Sequence, residues 1–137
     1  MKADCVFCRI VAKQIPASVV FEDAATLAFM DLGQVNPGHV LVACKAHADD
    51  IYGLDEAQAA AVFRSAARVA RAVRDAFSPP GLSIYQANGK PAGQTVFHFH
   101  LHVLPRHEAD GMQLVWPVKN PPREQLEDYA GRIRARL

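Results

Sequence analysis

The chain predicts an α+β domain on three observations: short β-like runs joined by tight turns, one long amphipathic helix, and a strand whose polar positions are all histidine. Consecutive strands joined by short turns pair antiparallel, and helices then pack on the sheet they form. The expected architecture is a five-stranded antiparallel sheet with a long central helix and a C-terminal helix. At 137 residues, positions 1–137 make one domain, large enough to bury roughly two thirds of its unfolded surface.

The elements follow in order. Residues 18–23 and 26–31 (SVVFED, TLAFMD) are β-like runs, with Asp23-Ala24-Ala25 as the tight hairpin between them. Asn36-Pro37-Gly38 punctuates a turn, and 39–44 (HVLVAC) is a third apolar strand. Residues 55–77 form the clearest helix. Asp55 with Gln58 three residues on makes a capping box, and Pro79-Pro80-Gly81 stops the run. Val62, Ala66, Val69, Val73 and Phe77 recur at three- and four-residue steps, while Arg64, Arg68, Arg71 and Arg74 form a solvated face. A fourth strand fits 82–87, followed by the polar loop 88–95 (NGKPAGQT) and the histidine strand 98–104. Pro121-Pro122 opens a final helix carrying Leu126, Tyr129, Ala130 and Ile133.

Composition removes several classes. Half the residues are hydrophobic and the formal net charge is +1, so nothing favours nucleic-acid binding by phosphate neutralisation. No apolar run approaches the roughly 18–20 residues of a membrane span, and the start lacks the apolar core of a signal peptide. Three cysteines, two of them spaced C-x-x-C at Cys5 and Cys8, do not form a secreted disulfide framework. The expected location is the cytoplasm, and no membrane or nucleic-acid partner is expected. Gly89-Lys90 lacks the glycine spacing and the following Ser or Thr of a phosphate-binding P-loop.

Residues 98–104 read HFHLHVL. A strand turns successive side chains to opposite faces, which puts His98, His100 and His102 on one face and Phe99, Leu101 and Val103 in the core. The outer two imidazoles then stand about 13 Å apart, too far for one metal ion holding nitrogens at about 2 Å. Such a row suits an extended substrate. Cys5 and Cys8 have zinc-ligand spacing, and a pair of this kind needs two more ligands to close a tetrahedral site. Cys44 reads as a small buried apolar residue, and His107 as an exposed one.

GQTVFHFHLHVLPR at 93–106 resembles the signature of the histidine triad (HIT) nucleotide hydrolases and transferases, His-φ-His-φ-His-φ-φ with φ apolar. The likeness extends through CVFCRIVAKQIPASVVFED at 5–23 and LAFMDLGQVNPGHVLV at 27–42, so it covers nearly the whole chain. It implies a HIT-like fold and a homodimer built across the long helix and its neighbouring strand. It also implies hydrolysis at the α-phosphate of a purine nucleotide through a covalent nucleotidyl-histidine. Neutral imidazole, with an ordinary pKa near 6.5, is a capable nucleophile for that step.

By the resemblance His100 is the nucleophile and His102 stabilises charge on the phosphate. His39 supports the phosphate or the nucleophile, and Thr95 contacts the leaving group. Asp31 matches the acidic residue that accepts from both ribose hydroxyls. Asn88 and Gln94 match phosphate-loop positions, and Phe7, Ile10, Phe29 and Leu41 match the apolar wall around the purine. His47 and His98 complete a structural zinc site with Cys5 and Cys8, the other reading being a reduced, metal-free thiol pair. Two branches of the family compete. The N-terminal block CVFCRIVAKQIPAS favours the Hint-like nucleoside phosphoramidases, whereas HVLPRHEADGM at 102–112 resembles the Fhit-like dinucleoside polyphosphate hydrolases. A non-catalytic nucleotide-binding module and a zinc-dependent hydrolase are the further alternatives.

Overall fold

The computed structural model describes residues 2–113 and 115–137. Five strands form one antiparallel sheet: β1 (Val19–Glu22), β2 (Thr26–Met30), β3 (Val40–Cys44), β4 (Gly81–Tyr85) and β5 (His100–Arg106), in the order β1-β2-β3-β5-β4. Three α-helices accompany them: α1 (Val6–Val11), α2 (Glu56–Phe77) and α3 (Arg123–Arg134). Among the described residues no helix is long and apolar enough to cross a membrane.

The hairpin between β1 and β2 is made by the Asp23 side chain. Its Oδ1 accepts from the backbone N–H groups of Ala25 and Thr26 at 2.9 and 2.7 Å, and from the Thr26 hydroxyl. Thr26 Oγ1 also meets Ser65 Oγ of α2 at 2.7 Å. This buried polar bridge pins the helix to the sheet inside an otherwise apolar layer. The helix starts as its sequence predicts, with both halves of the Asp55–Gln58 capping box formed, and stops at Ser78 in the left-handed conformation before Pro79. Gly38 has a φ of +94° and lies so close beneath the Phe77 ring that a Cβ there would sit 2.8 Å from it.

Period-two alternation divides the sheet into two faces. Ala28, Val40, Val42, Leu101 and Val103 pack with Phe99 against Val62, Ala66, Val69 and Val73 of α2. Leu27, Phe29, Leu41 and Ala43 point the other way and pack with Phe7 and both cysteines of the N-terminal block. Cys44 is buried and His107 exposed, as expected. The four arginines of α2 are all exposed.

The structure departs from expectation at three places. The histidine strand begins at His100 rather than His98. Phe99 donates its N–H to the Ala48 carbonyl at 2.7 Å instead of to a ladder, so His98 lies in a bend before the strand. The strand runs on instead through Pro105, tolerated because β3 pairing has ended at Val103 and only β4 pairs there. Secondly, Val6–Val11 is helical: the Cys5 thiol accepts from Cys8 N at its start, a short helix with too few turns to show a period. Thirdly, α3 forms after Pro122 but buries none of its residues; Leu126, Tyr129 and Ile133 are exposed, so its apolar stripe has no cover among the described residues.

Candidate active site and metal centre

The bend at His98 delivers its imidazole to the N-terminal block. Cys5, Cys8, His47 and His98 offer ligand atoms that lie within 4.8 Å of one another. Cys5 Sγ is 3.3 Å from His98 Nδ1, Cys8 Sγ is 3.3 Å from His47 Nδ1 and 3.6 Å from His98 Nδ1, and the two Nδ1 atoms are 3.2 Å apart. A tetrahedron with Zn–S near 2.3 Å and Zn–N near 2.0 Å has edges of about 3.3–3.8 Å. The far side of each ring fits as well. His98 Nε2 donates to the Cys44 carbonyl at 2.6 Å, which fixes the proton there and leaves the Nδ1 lone pair facing the cluster. His47 Nε2 lies 2.8 Å from Asp49 Oδ1, a carboxylate held below its ordinary pKa by this bond and by Lys2. Two buried sulfurs, two oriented imidazoles and their acceptors make this a fitting zinc site, and such an ion would tie α1 to the start of β5.

The next two histidines serve a different space. A cavity of about 310 Å³ opens on the same face of the sheet, lined by Phe7, Ile10, Phe29, Asp31, Leu41, Thr95, His100 and His102. All eight were singled out from sequence. The cavity also takes in Ile15, Pro16, Ala17 and Ser18, the stretch between α1 and β1, which has no periodicity or charge to mark it. A larger hollow of about 740 Å³ beside α3, among Tyr129, Ile133 and Leu137, shares none of these residues, and its polar side chains are Tyr129, Arg132 and Arg136.

His100 Nδ1 donates to the His98 carbonyl at 2.6 Å. A carbonyl can only accept, so the proton is on Nδ1 and the Nε2 lone pair is free. Burial holds the ring below its ordinary pKa, against the opposing pull of that carbonyl and of Asp31, and so keeps it neutral. The edge of Phe7 packs 5.0 Å from it, centroid to centroid.

His102 is pushed down to about 4 by burial, with His100 and His39 adding to the effect. Its Nδ1 is 2.9 Å from His39 Nε2, and Asp31 Oδ2 lies 3.5 Å from His39 Nε2 and 3.8 Å from His102 Nδ1. His39 therefore stands behind His102 and does not line the cavity. Burial lowers its pKa too, against the opposing pull of Asp31 and of the nearby Gly33 backbone, and among the described residues no partner meets its buried Nδ1 in hydrogen-bond geometry.

The loop that brings Asp31 and His39 together is closed by Gln34, a residue without any signal in the sequence. Its Nε2 donates to the carbonyls of Asp31 and His39 at 2.6 and 2.7 Å, while its Oε1 accepts from Gly38 and His39 N–H groups at 3.1 Å.

Asn88 and Gln94 are placed differently from the other expected site residues. Asn88 Oδ1 accepts from Ile51 N–H and from Gln86. Gln94 is 5% exposed, accepts from Gly89 N–H and donates to the carbonyls of Asp49 and Val96. Both side chains are committed to these bonds, Asn88 to Ile51 and the Gln86 side chain and Gln94 to the backbone of Asp49, Gly89 and Val96, and neither lines the cavity.

Fold and site together define an antiparallel α+β domain with a histidine-lined cavity beside a Cys₂His₂ centre. The HIT domain family matches residues 12–109, and the chain belongs to that family. It is 40% identical over 137 residues to Protein hit of Bacillus subtilis, covering 98% of this chain and 94% of that protein. The crystal structure of a HIT family protein from Bacillus anthracis superposes with a TM-score of 0.95 at 40% identity, covering 100% of this chain and 99% of the other. Adenosine 5'-monophosphoramidase hnt1 of Schizosaccharomyces pombe is 31% identical over 134 residues, 97% of this chain and 98% of that protein. A zinc-bound histidine triad family protein from Mycobacterium smegmatis matches with a TM-score of 0.75 at 33% identity, covering 98% of each chain.

Proposed function

We propose that this chain is a nucleotide hydrolase acting at the α-phosphate of purine nucleoside phosphoramidates, through a nucleotidyl-His100 intermediate. The observation that carries the reading is the fixed tautomer of His100: its proton is tied to the His98 carbonyl and its Nε2 lone pair remains for attack. That ring lines an apolar cavity which also presents a carboxylate and a second imidazole.

In the first half-reaction Nε2 bonds to phosphorus, the phosphorus–leaving-group bond breaks, and the departing amine takes up a proton. Water then adds to phosphorus, the P–Nε2 bond breaks, and a nucleoside monophosphate leaves. His102 supports charge on the phosphate oxygens, with His39 behind it, and Thr95 stands at the leaving-group side. Asp31 accepts from the ribose hydroxyls, and Phe7, Ile10, Phe29 and Leu41 flank the base. Asn88 and Gln94 shape the phosphate loop rather than touch the substrate. Zinc on Cys5, Cys8, His47 and His98 is structural. The exposed Ile84 and Tyr85 on edge strand β4, with Phe63 on α2, support a homodimer across that edge. Three unpaired thiols accord with a cytoplasmic enzyme.

The turn after β5 that resembles the dinucleotide-cleaving branch is held by the Arg106–Asp110 ion pair, 2.7 Å between Nε and Oδ2. None of residues 107–112 lines the cavity, so that alternative gains no support at the site.

The test is to quench turnover of adenosine 5'-phosphoramidate, radiolabelled in the nucleotide, at alkaline pH and map the label by mass spectrometry. Label at His100, absent from His100→Asn, is expected. Undiminished turnover by His100→Asn overturns the mechanism, and a protein that binds AMP without turning over any nucleotide is a binding module instead. Faster turnover of a dinucleoside polyphosphate moves the chain to the other branch.

A further inference from the structure

The Asp31–His39–His102 group has the makings of a second metal site, separate from the Cys₂His₂ centre. Its three facing atoms are 2.9, 3.5 and 3.8 Å apart. These separations bracket the roughly 3.4 Å edge expected for ligands about 2.1 Å from one tetrahedral ion. Two imidazole nitrogens and one carboxylate oxygen suit a divalent first-row cation, and the soft thiolates that mark the first centre are missing from this one.

The group is also held ready. Asp31 Oδ1 is engaged by Gly33 N–H at 2.9 Å, which leaves Oδ2 for the histidines. Asp31 N–H donates to the His39 carbonyl at 3.1 Å, and Gln34 clamps both residues. His102 comes from β5, opposite Leu41 in the ladder and two residues on from His39. Because His39 Nδ1 has no hydrogen bond, a cation on Nε2 needs only the Nδ1–H tautomer, and no bond is broken on that side of the ring. Asp31 and His102 line the cavity, so any remaining coordination positions face the space in which the nucleotide is proposed to lie.

We propose that Asp31 Oδ2, His39 Nε2 and His102 Nδ1 form an exchangeable divalent-cation site that competes with nucleotide for the cavity. The cation takes up the carboxylate and the second imidazole, so it blocks the site and plays no part in the chemistry. The metal site stands on geometry alone, whereas the competition rests on the function proposed above.

The experiment starts from full-length protein whose Cys₂His₂ centre is filled with zinc. Co²⁺ is titrated in and followed by visible absorption and by calorimetry. One further equivalent is expected, giving ligand-field bands without thiolate-to-metal charge transfer. Affinity for it falls by more than about 10-fold in Asp31→Asn and in His39→Asn; if the latter does not fold, Asp31→Asn decides. Adenosine, which has no phosphate to chelate the ion, displaces the cobalt, and added Zn²⁺ raises the apparent KM for the phosphoramidate with kcat unchanged. Binding of no further equivalent, or of one indifferent to both substitutions, overturns the site. Cobalt that depends on Asp31 and His39 yet ignores adenosine overturns the competition, and with it the placing of ribose against Asp31.

Discussion

Two sets of histidines meet at the start of β5 and are built in opposite ways. In the Cys₂His₂ centre each imidazole is anchored on its far nitrogen, His98 by the Cys44 carbonyl and His47 by Asp49, and both turn Nδ1 inward. Around the cavity the order is reversed: His100 lines it, anchored through Nδ1 with Nε2 left without that anchor, and His39, behind His102, has no hydrogen-bond partner on Nδ1 among the described residues. The ring is the same. The acceptor behind it decides which ring nitrogen carries the proton, and so which one could serve a metal or a substrate.

The sharpest way to separate the two sets is His100→Asn, which should lower kcat by more than about 10³-fold. Bound metal, counted by mass spectrometry, should stay at the wild-type level. A matched loss of metal would mean that the two sets are one site. Cys8→Ser does the reverse. Loss of one thiolate should release the metal and cost about 3 kcal/mol, a fall in Tm on the order of 10 °C by calorimetry.

Acidification probes the cavity set through His102. Its folded pKa of about 4 lies below the ordinary value near 6.5, so the unfolded chain binds more protons between those limits. Stability is then full above about pH 6.5, falls on acidification, and stops falling below about pH 4. The ring is 25% exposed, so about 2 kcal/mol is expected rather than the whole linkage. Urea midpoints at pH 7, 5.5 and 4.5 should fall more steeply for wild type than for His102→Phe, and a gap between the two that stays constant with pH would overturn this account. The smallest effect belongs to neither set: Ser65→Ala breaks the bridge to Thr26 and should cost about 1 kcal/mol without changing metal content or kcat.

Much of this was legible in the sequence because it depends on local rules. The α2 capping box, the Asp23 hairpin, the continuous apolar runs of β2 and β3 and the alternation in β5 are each decided within a few residues. The cavity wall was legible by likeness to a family, since Phe7, Ile10, Phe29 and Leu41 are scattered over three elements. What escaped depends on contacts across the chain. The extended run at His98 breaks because Ala48, fifty-one residues earlier, takes the Phe99 N–H. Helix α1 is a single short stretch capped by Cys5 and containing Cys8, and Gln34 acts only through a loop that must first close. Asn88 and Gln94 have residue types suited to phosphate, but their donors and acceptors are taken by the Gln86 side chain and by backbone groups of Asp49, Ile51 and Gly89, two of them some forty residues earlier in the chain.

The bond between Phe99 N–H and Ala48 carries a consequence for catalysis. The Phe99 amide and the His98 carbonyl are two ends of one planar peptide unit. Ala48 grips one end at 2.7 Å and the His100 ring is held by the other at 2.6 Å. Ala48 directly follows His47, so the loop that carries a candidate metal ligand also sets the tilt of that plane. A rigid lever one peptide long thus aims the nitrogen proposed to attack, and a small rotation of the 45–50 loop would turn the imidazole without moving the strand that carries it.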